Sequence, residues 1–103
     1  MNSSKILSLL GFAAKAGKLS YGTHATEFAI TSNKAKMVCV AQDISAKTVK
    51  ELKFKAQKQN IPVIILEGID TIEVSSKIGK NCGVIAVNDI GFADAVQKNI
   101  KEE

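Results

Sequence analysis

The sequence predicts an α/β fold, a three-layer α/β/α sandwich in which about four strands form a mixed sheet with helices on both faces. Segments with the apolar spacing of helices alternate with short apolar runs along the whole chain. Such alternation is typical of folds in which helices cover a buried sheet. The length of 103 residues, 46% of them hydrophobic, suits a single domain over residues 1–103.

The helices are predicted from apolar spacing and from residues that start or stop helices. Thr23 is a plausible N-cap for the second helix, and either Asp70 or Thr71 caps the fourth. Gly17 and Gly79 follow the first and fourth helices, in the position where glycine ends a helix. The five predicted helices cover about residues 4–15, 23–33, 46–59, 71–78 and 92–101.

Four apolar runs are short enough to be strands. The first, over residues 19–21, is very short and can pair antiparallel at an edge of the sheet. The second and third, over residues 36–41 and 63–66, are continuous apolar runs of the kind found in strands buried on both faces. The fourth covers residues 83–87.

The net charge of +4 is unevenly distributed along the chain. Residues 1–50 carry seven lysines against two acidic residues, whereas residues 51–103 carry seven lysines against eight acidic residues. The basic excess of the first half favours a polyanionic partner. Because every basic residue is a lysine, a bidentate guanidinium contact with a guanine edge is excluded, and lysines would act as point charges for phosphates.

The sequence gives little support to catalysis, cofactors or metals. Cys39 and Cys82 have neither a metal-site spacing nor a disulfide framework, and Cys82 lies in a loop where it could be exposed. His24 is the only histidine, and no motif places a nucleophile and a carboxylate beside it. We expect no enzyme and no cofactor; an enzyme that uses Asp43 or His24 is the least favoured alternative.

No apolar run approaches the length of a membrane span, and no signal-type segment is present. We therefore expect no membrane partner and a cytoplasmic location.

The stretch from Lys15 to Ile30 contains the best candidate site. In it, the first strand runs into Gly22 and then into the first turn of a helix. A helix start presents free backbone N–H groups and the positive end of the helix dipole, which bind phosphates and other anions. Gly22 also lets a ligand approach the backbone. Thr23 and His24 either bind at this junction or are a simple cap and a solvated side chain.

Four segments, taken in order, resemble a known family. They are A-G-K before the first strand, N-K-A-K-M-V-C-V-A-Q-D around the second, N-I-P-V-I-I-L at the third and I-G-K-N-C-G-V-I-A-V-N-D around the fourth. Over nearly the whole chain they are similar to the kink-turn-binding ribosomal protein superfamily, of the L-seven-Ae and L-thirty-e type. The chain looks most like the branch of short bacterial YlxQ/YbxF-like proteins.

The resemblance implies RNA binding without catalysis. In the family, the glycine of this junction is followed by an Asn-Glu pair and then by a Lys, which read tandem G·A pairs at a sharp RNA bend. Here the glycine is Gly22 and Thr23 also fits, but the three reading positions hold His24, Ala25 and Phe28. A standard kink-turn would lose guanine contacts worth ~1–3 kcal/mol each.

His24 and Phe28 offer instead two aromatic faces, about one helical turn apart, on which unstacked bases could lie. The alternative for Phe28 is core packing beside Ala25 and Ala29.

A second contact region is implied for the loop after the third strand, residues 68–72, with Gly68, Ile69 and Asp70 as its candidate contact residues. Ile69 either covers a splayed base or is a hydrophobic staple of the following helix.

Four lysines near the junction in sequence are the candidates for phosphate contacts, with Lys18 expected nearest to it. The lysines of the third helix are interpreted as a solvated face, and Phe54 among them as a hint of a protein contact or an ordinary exposed aromatic residue. The four candidates are Lys15, Lys18, Lys34 and Lys36.

The sequence therefore predicts a non-catalytic protein that binds structured RNA, ribosomal or kink-turn-like, in association with the ribosome. The alternative is a protein-interaction adaptor of the same fold that has lost kink-turn recognition.

Overall fold

The computed structural model describes residues 1–101, in which five helices alternate with four strands. Every element predicted from the sequence is present, and the differences lie mostly at helix ends. In chain order the elements are α1 (Ser3–Lys15), β1 (Leu19–Tyr21), α2 (Thr23–Thr31), β2 (Met37–Ala41), α3 (Ala46–Gln57), β3 (Val63–Leu66), α4 (Thr71–Ile78), β4 (Val84–Val87) and α5 (Ile90–Lys101).

The strands form one mixed sheet in the order β1-β4-β2-β3. β2 and β3 are parallel, whereas β4 runs antiparallel to both β1 and β2. The pairing of β1 with β4 confirms the antiparallel edge position predicted for the first strand. β1, β2 and β3 therefore end, and β4 begins, at one end of the sheet. We call it the carboxyl end, and the opposite one the amino end.

Two layers of helices bury separate cores against the sheet. α1, α4 and α5 pack on one face, where Met37, Cys39 and Ile85 are fully buried. α2 and α3 pack on the other face, against Val38 and Ala86. All five residues of β2 are buried, which explains its continuous apolar sequence. The predicted three-layer α/β/α sandwich is confirmed.

β3 differs from the prediction of a strand buried on both faces. It lies at an edge of the sheet, and within residues 1–101 only β2 pairs with it. Leu66 is its one fully buried residue, and Ile65 is 39% exposed. A short apolar run does not distinguish a central strand from an edge strand that a helix partly covers, so the sequence pattern was misleading here.

The start of α2 also differs from the prediction. Gly22, and not Thr23, is the N-cap, because Thr23 already has helical backbone angles. α2 ends at Thr31, since Asn33 adopts a positive φ of 61° and the chain turns toward β2.

At α4 the two alternatives for the cap are resolved in favour of Asp70. Its side chain accepts a hydrogen bond from the Glu73 N–H, and the Glu73 side chain accepts one from the Asp70 N–H, which forms a capping box. α3 ends at Gln57 and α5 begins at Ile90, each two residues from the predicted end.

Candidate nucleic-acid interface

The carboxyl end of the sheet brings the two predicted contact regions onto one surface. Gly22 follows β1, and the loop of residues 67–70 follows β3, at the two outer strands. The Gly22 N–H donates to the Val84 carbonyl at 2.8 Å, and the Gln42 N–H donates to the Ile69 carbonyl at 2.9 Å. These bonds tie both regions to the central strands. Three strand spacings, roughly 14 Å, separate them.

Gly22 shapes the start of α2. Its φ of 89° and ψ of 168° fall in a region that is essentially restricted to glycine. A Cβ there would meet nothing within 4 Å, so glycine is required by the backbone and not by crowding. The first intrahelical bond runs from the Thr26 N–H to the Gly22 carbonyl at 3.0 Å. The N–H groups of Thr23, His24 and Ala25 have no acceptor among residues 1–101 and are available to an anion.

His24 and Phe28 lie together on the exposed face of α2. The His24 side chain is fully exposed, and Phe28 is 71% exposed. The alternative of core packing for Phe28 is therefore wrong, because α2 turns Thr26, Ala29 and Ile30 inward and leaves Phe28 on the other side. Residues four apart are neighbours on a helix, so the two rings can contact one ligand.

An ion pair joins α2 to α3 beside these rings. Lys55 Nζ donates to Glu27 Oε2 at 2.6 Å, and Glu27 Oε1 lies 3.9 Å from His24 Nδ1. The Lys55 side chain is 43% exposed, so the pair contributes at most about 1 kcal/mol to stability. The pair has a larger effect on the surface charge. Glu27 is the only acidic residue of α2, and Lys55 compensates its negative charge.

Of the two alternatives for Ile69, contact with a splayed base is wrong, because the side chain is not exposed. It is fully buried and packs in the same core cluster as Val74 at the fourth position of α4, as a hydrophobic staple does. The exposed apolar side chain of this region is Ile72, which is 77% exposed. Ile72 lies inside the predicted contact loop of residues 68–72 but was not among its candidate contact residues, although the second position of a capped helix lies opposite the staple.

Gly68 and Asp70 build the loop that presents Ile72. Gly68 has a positive φ of 76°, and its N–H donates to Gln42 Oε1 at 2.8 Å. Asp70 Oδ1 accepts from the Glu73 N–H at 2.9 Å in the capping box. Both of these predicted site residues therefore have a defined structural task at the carboxyl end.

Asp43 holds the same loop from β2. Its Oδ1 accepts from the Thr71 N–H at 2.9 Å and from the Thr71 hydroxyl at 2.7 Å. The bond from the Thr71 hydroxyl is the main cause that lowers the pKa of Asp43 below its ordinary value. Gly83 makes room for this contact, since a Cβ there would lie 2.4 Å from Thr71 Oγ1. These bonds give Asp43 a positioning task and leave the enzymatic alternative without support.

The structure separates the four candidate lysines. The Asn88 N–H donates to the Lys18 carbonyl, and the Lys36 N–H donates to the Val87 carbonyl, both at 2.8 Å. Lys18 and Lys36 therefore lie at the amino end, and Lys34, in the turn after α2, lies near them. Lys18 is four residues of extended chain, roughly 13 Å, from Gly22, in contrast to its expected place nearest the junction.

Lys15 occupies a different position from the other three. It lines a cavity of about 360 Å³ together with Tyr21 and Lys80, and Lys80 Nζ lies 5.8 Å from the centre of the Tyr21 ring. Tyr21 directly precedes Gly22, so this cavity opens beside the junction. Lys80 was not evident from the sequence, because the α4–β4 turn approaches β1 only in the folded chain.

The remaining reactive groups do not form a second kind of site. Burial raises the pKa of Cys39 to about 12, and burial also raises the pKa of the half-buried Cys82, so both thiols are protonated at neutral pH. Within residues 1–101 no cluster of three or more His, Cys, Asp or Glu could hold a metal ion. In the same range no helix is long and apolar enough to cross a bilayer.

The fold and its carboxyl end define a small α/β/α protein with a helix start that no side chain caps and with two exposed aromatic rings beside it. A model of the Ribosomal protein L7Ae/L30e/S12e/Gadd45 family matches residues 4–97. The chain therefore belongs to this family, as the resemblance of its sequence indicated.

Individual relatives support the same placement. RNA-binding protein YlxQ of Enterococcus faecium is 36% identical over 100 residues, which cover 97% of this chain and 95% of that one. A solved protein of unknown function from Bacillus halodurans C is 32% identical, with a TM-score of 0.89 and coverage of 95% and 98% of the two chains. The Giardia lamblia 15.5kD RNA binding protein shares the fold at 14% identity, with a TM-score of 0.80 over 97% and 86%.

These matches support the YlxQ-like branch within the family. The family and the name of the Enterococcus relative also point to a protein without catalytic activity, in agreement with the sequence analysis.

Proposed function

We propose that this chain binds structured RNA, without catalysis, through the start of α2 and the surface around Ile72, in the cytoplasm and in association with the ribosome. The observation that carries the proposal is the helix start, where three unpaired N–H groups adjoin the exposed rings of His24 and Phe28. Membership of a ribosomal protein family and the name of the YlxQ relative support RNA as the partner.

The N–H groups at the helix start bind a phosphate of the RNA. They point along the helix axis, and the dipole of α2 adds ~0.3–1 kcal/mol for an anion at this end. The lysines of the first half of the chain attract the polyanion and release its counterions, so the affinity falls steeply as salt rises.

The rings of His24 and Phe28 stack on RNA bases that are flipped out of the double helix. Each such stack contributes ~1–3 kcal/mol and tolerates any base. Ile72 covers a further base at the other side of the carboxyl end. A sharply bent RNA presents unstacked bases beside its phosphates, whereas a straight duplex keeps its bases stacked.

The side chains at the three base-reading positions differ from the family pattern that the sequence analysis described. Ala25 has no acceptor for a guanine edge, and Phe28 has no charge. We therefore place the chain among binders of a bent RNA that is recognised by stacking, with a weaker preference for tandem G·A pairs than the family pattern implies.

The proposal is tested by titrating the protein with a kink-turn RNA, the same RNA with its bulge deleted, and ribosomal RNA, over a range of salt. We expect binding to a bent or ribosomal RNA, weaker binding to the straight control, and a steep loss of affinity with salt. Equal affinity for the bent and straight RNAs, or no binding at low salt, would overturn the proposal.

A pair of variants locates the surface. His24→Ala with Phe28→Ala removes two stacks and should lower the affinity about tenfold or more. Phe54→Ala, which removes a 62%-exposed ring from α3, is the matched control and should leave the affinity unchanged. Similar losses of RNA affinity in the double variant and in Phe54→Ala would show that exposed rings contribute to binding wherever they lie on the surface.

A gain of function tests the assignment of the reading positions. Replacing His24, Ala25 and Phe28 by Asn, Glu and Lys restores the family pattern in this chain. The triple variant should bind a standard kink-turn more tightly than the natural chain, by about tenfold. If the affinity of the triple variant for the kink-turn does not rise, the base-reading positions of this chain lie elsewhere.

The adaptor alternative is favoured by a different surface. A cavity of about 470 Å³ between α3 and β3 is lined mainly by apolar groups, with Lys50 and Lys53 at its rim and Ile65 in its wall. The charge of the two lysines suits an acidic peptide as the occupant. If the protein binds no RNA but binds an acidic peptide, and if Lys50→Glu abolishes binding of that peptide, the adaptor alternative is established.

A further inference from the structure

A second surface of the molecule, between α1 and α4, carries lysines and aromatic rings, and among the residues predicted to contact RNA only Lys15 lines it. A cavity of about 240 Å³ adjoins the cavity of about 360 Å³ beside Tyr21, and the two share Gly11, Lys15 and Lys77. They therefore form one continuous groove. We call it the α1–α4 groove and define it by Gly11, Phe12, Lys15, Tyr21, Lys77 and Lys80.

The charge of the α1–α4 groove has one sign. Three lysines line it, and within the described chain no aspartate or glutamate does. α1 itself has no acidic residue in its first turn, and its last turn carries Lys15. A concave surface with this charge concentrates a polyanion.

Aromatic rings stand at both ends of the α1–α4 groove. Phe12 is 60% exposed at one end, and Tyr21 lies at the other, with Lys80 Nζ 5.8 Å from the centre of its ring. Proteins bind single-stranded nucleic acid with a positively charged groove that follows the phosphate backbone and with aromatic rings on which the bases stack.

The two helices meet closely along the α1–α4 groove. At Gly11 the two helices approach closely, since a Cβ there would lie 3.3 Å from the Lys77 carbonyl oxygen. This close contact leaves little room between the helices, so the groove suits a single strand better than a double helix. The groove also opens at Tyr21, directly before Gly22, so a strand that leaves the carboxyl end can continue into it.

We propose that the α1–α4 groove binds a single-stranded extension of the RNA whose bent element is held at the carboxyl end. This proposal rests on the proposed function. Phosphates of the extension pair with Lys15, Lys77 and Lys80, and unstacked bases lie on the rings of Phe12 and Tyr21. The ligand of the whole protein is then a bent RNA with an adjoining single strand.

The test compares a bent RNA with and without an extension of about eight nucleotides, placed at either end in turn. We expect one of the two extensions to raise the affinity of the natural chain by roughly tenfold, the gain of one stacked base. The variant Phe12→Ala with Lys77→Gln should lose this gain and still bind the RNA without extension as tightly as the natural chain.

The matched control is Phe54→Ala with Lys53→Gln on α3, which removes the same charge and the same ring from an exposed helix elsewhere. It should keep the full gain. For the extended RNA only, Lys77→Gln should also reduce the slope of log affinity against log salt by about 0.7, the value of one single-strand phosphate contact. Thermal unfolding of all variants checks that their fold is intact.

Each remaining outcome decides one of the two proposals. If the natural chain binds the bent RNA but neither extension adds affinity, or if the groove variant keeps the gain, the groove proposal is wrong and the proposed function stands. If the extension binds by itself while the bent element adds nothing, the groove binds single strands, but the proposed function is wrong and with it the link between the groove and a bent RNA. A photoreactive base in the extension that crosslinks to α3 instead of α1 or α4 would also overturn the groove proposal.

Discussion

The two ends of the sheet differ in how they can hold an anion. The carboxyl end offers backbone N–H groups at the start of α2 and loops that are tied by Asp43 and Gln42. The amino end offers the exposed lysines Lys18, Lys34 and Lys36. A backbone N–H has a direction that the fold sets, whereas a lysine is a point charge on a flexible stem. We therefore expect the carboxyl end to select the shape of the RNA and the amino end to add attraction of little selectivity.

Gly22→Ala should have the largest effect on this comparison. Alanine is strained at a φ of 89°, so the free energy of unfolding should fall by ~1–3 kcal/mol, or α2 should start with altered N–H directions. The affinity for bent RNA should fall by about tenfold or more, since the carboxyl end loses its phosphate site. Chemical denaturation and a binding titration measure the two effects.

Gly17→Ala is the matched control for this prediction. Gly17 also has a positive φ, 71°, with open space around its Cβ position, but it lies on the way to the amino end. Its replacement should lower stability by about 1–2 kcal/mol and leave the RNA affinity nearly unchanged. Equal losses of affinity in the two variants would remove the distinction between the two ends.

The second prediction concerns Asp43, which positions the loop at the carboxyl end. Its folded-state pKa is lowered by the Thr71 hydroxyl, so its contribution to stability is complete above its ordinary pKa of about 3.8 and is lost as the pH falls through the lower folded value. Melting temperatures between pH 2 and pH 6 should show this loss. Asp43→Asn should flatten that part of the profile, because an amide does not titrate.

Asp43→Ala extends the test to binding. It removes both bonds to Thr71 and should lower the affinity for bent RNA severalfold by loosening the segment that carries Ile72. An unchanged affinity, with the melting temperature lowered, would show that this loop does not contact RNA.

The smallest effect is expected at the amino end. Lys34→Gln with Lys36→Gln removes two charges and should lower the affinity at physiological salt by less than about threefold, mostly through a slower association rate. The dependence of affinity on salt measures whether the lysines contact phosphates. A decrease of the salt slope by about two would mean that both contact phosphates, and the amino end would then belong to the interface.

Local patterns in the sequence were sufficient for most of the fold. The apolar spacing of α1 and the apolar run of β2 placed these elements correctly, because burial on one helix face or on both faces of a strand imposes a short period on the sequence. The position of Gly22 at a helix start was also evident, since a glycine between a strand and a helix permits few alternatives.

The sequence did not indicate which side chains of the candidate site are exposed. Phe28 stood beside alanines and was compatible with the core, and Ile69 lay in a loop and was compatible with exposure, yet both have the opposite environment. The direction in which these side chains point depends on the layer that each helix joins. Lys80 became a neighbour of Tyr21 only because β4 pairs with β1.

The sequence by itself determined the class of the fold, the order of its elements and its family, because these depend on local periodicity and on segments read in order. The tertiary structure decided which groups share a surface. β4 is last among the strands in sequence but lies between β1 and β2, and this order brings Gly22 and the loop of residues 67–70 to one end while it leaves Lys18, Lys34 and Lys36 at the other. Strand order depends on contacts between residues that are distant in sequence, and no local pattern in this chain specifies it.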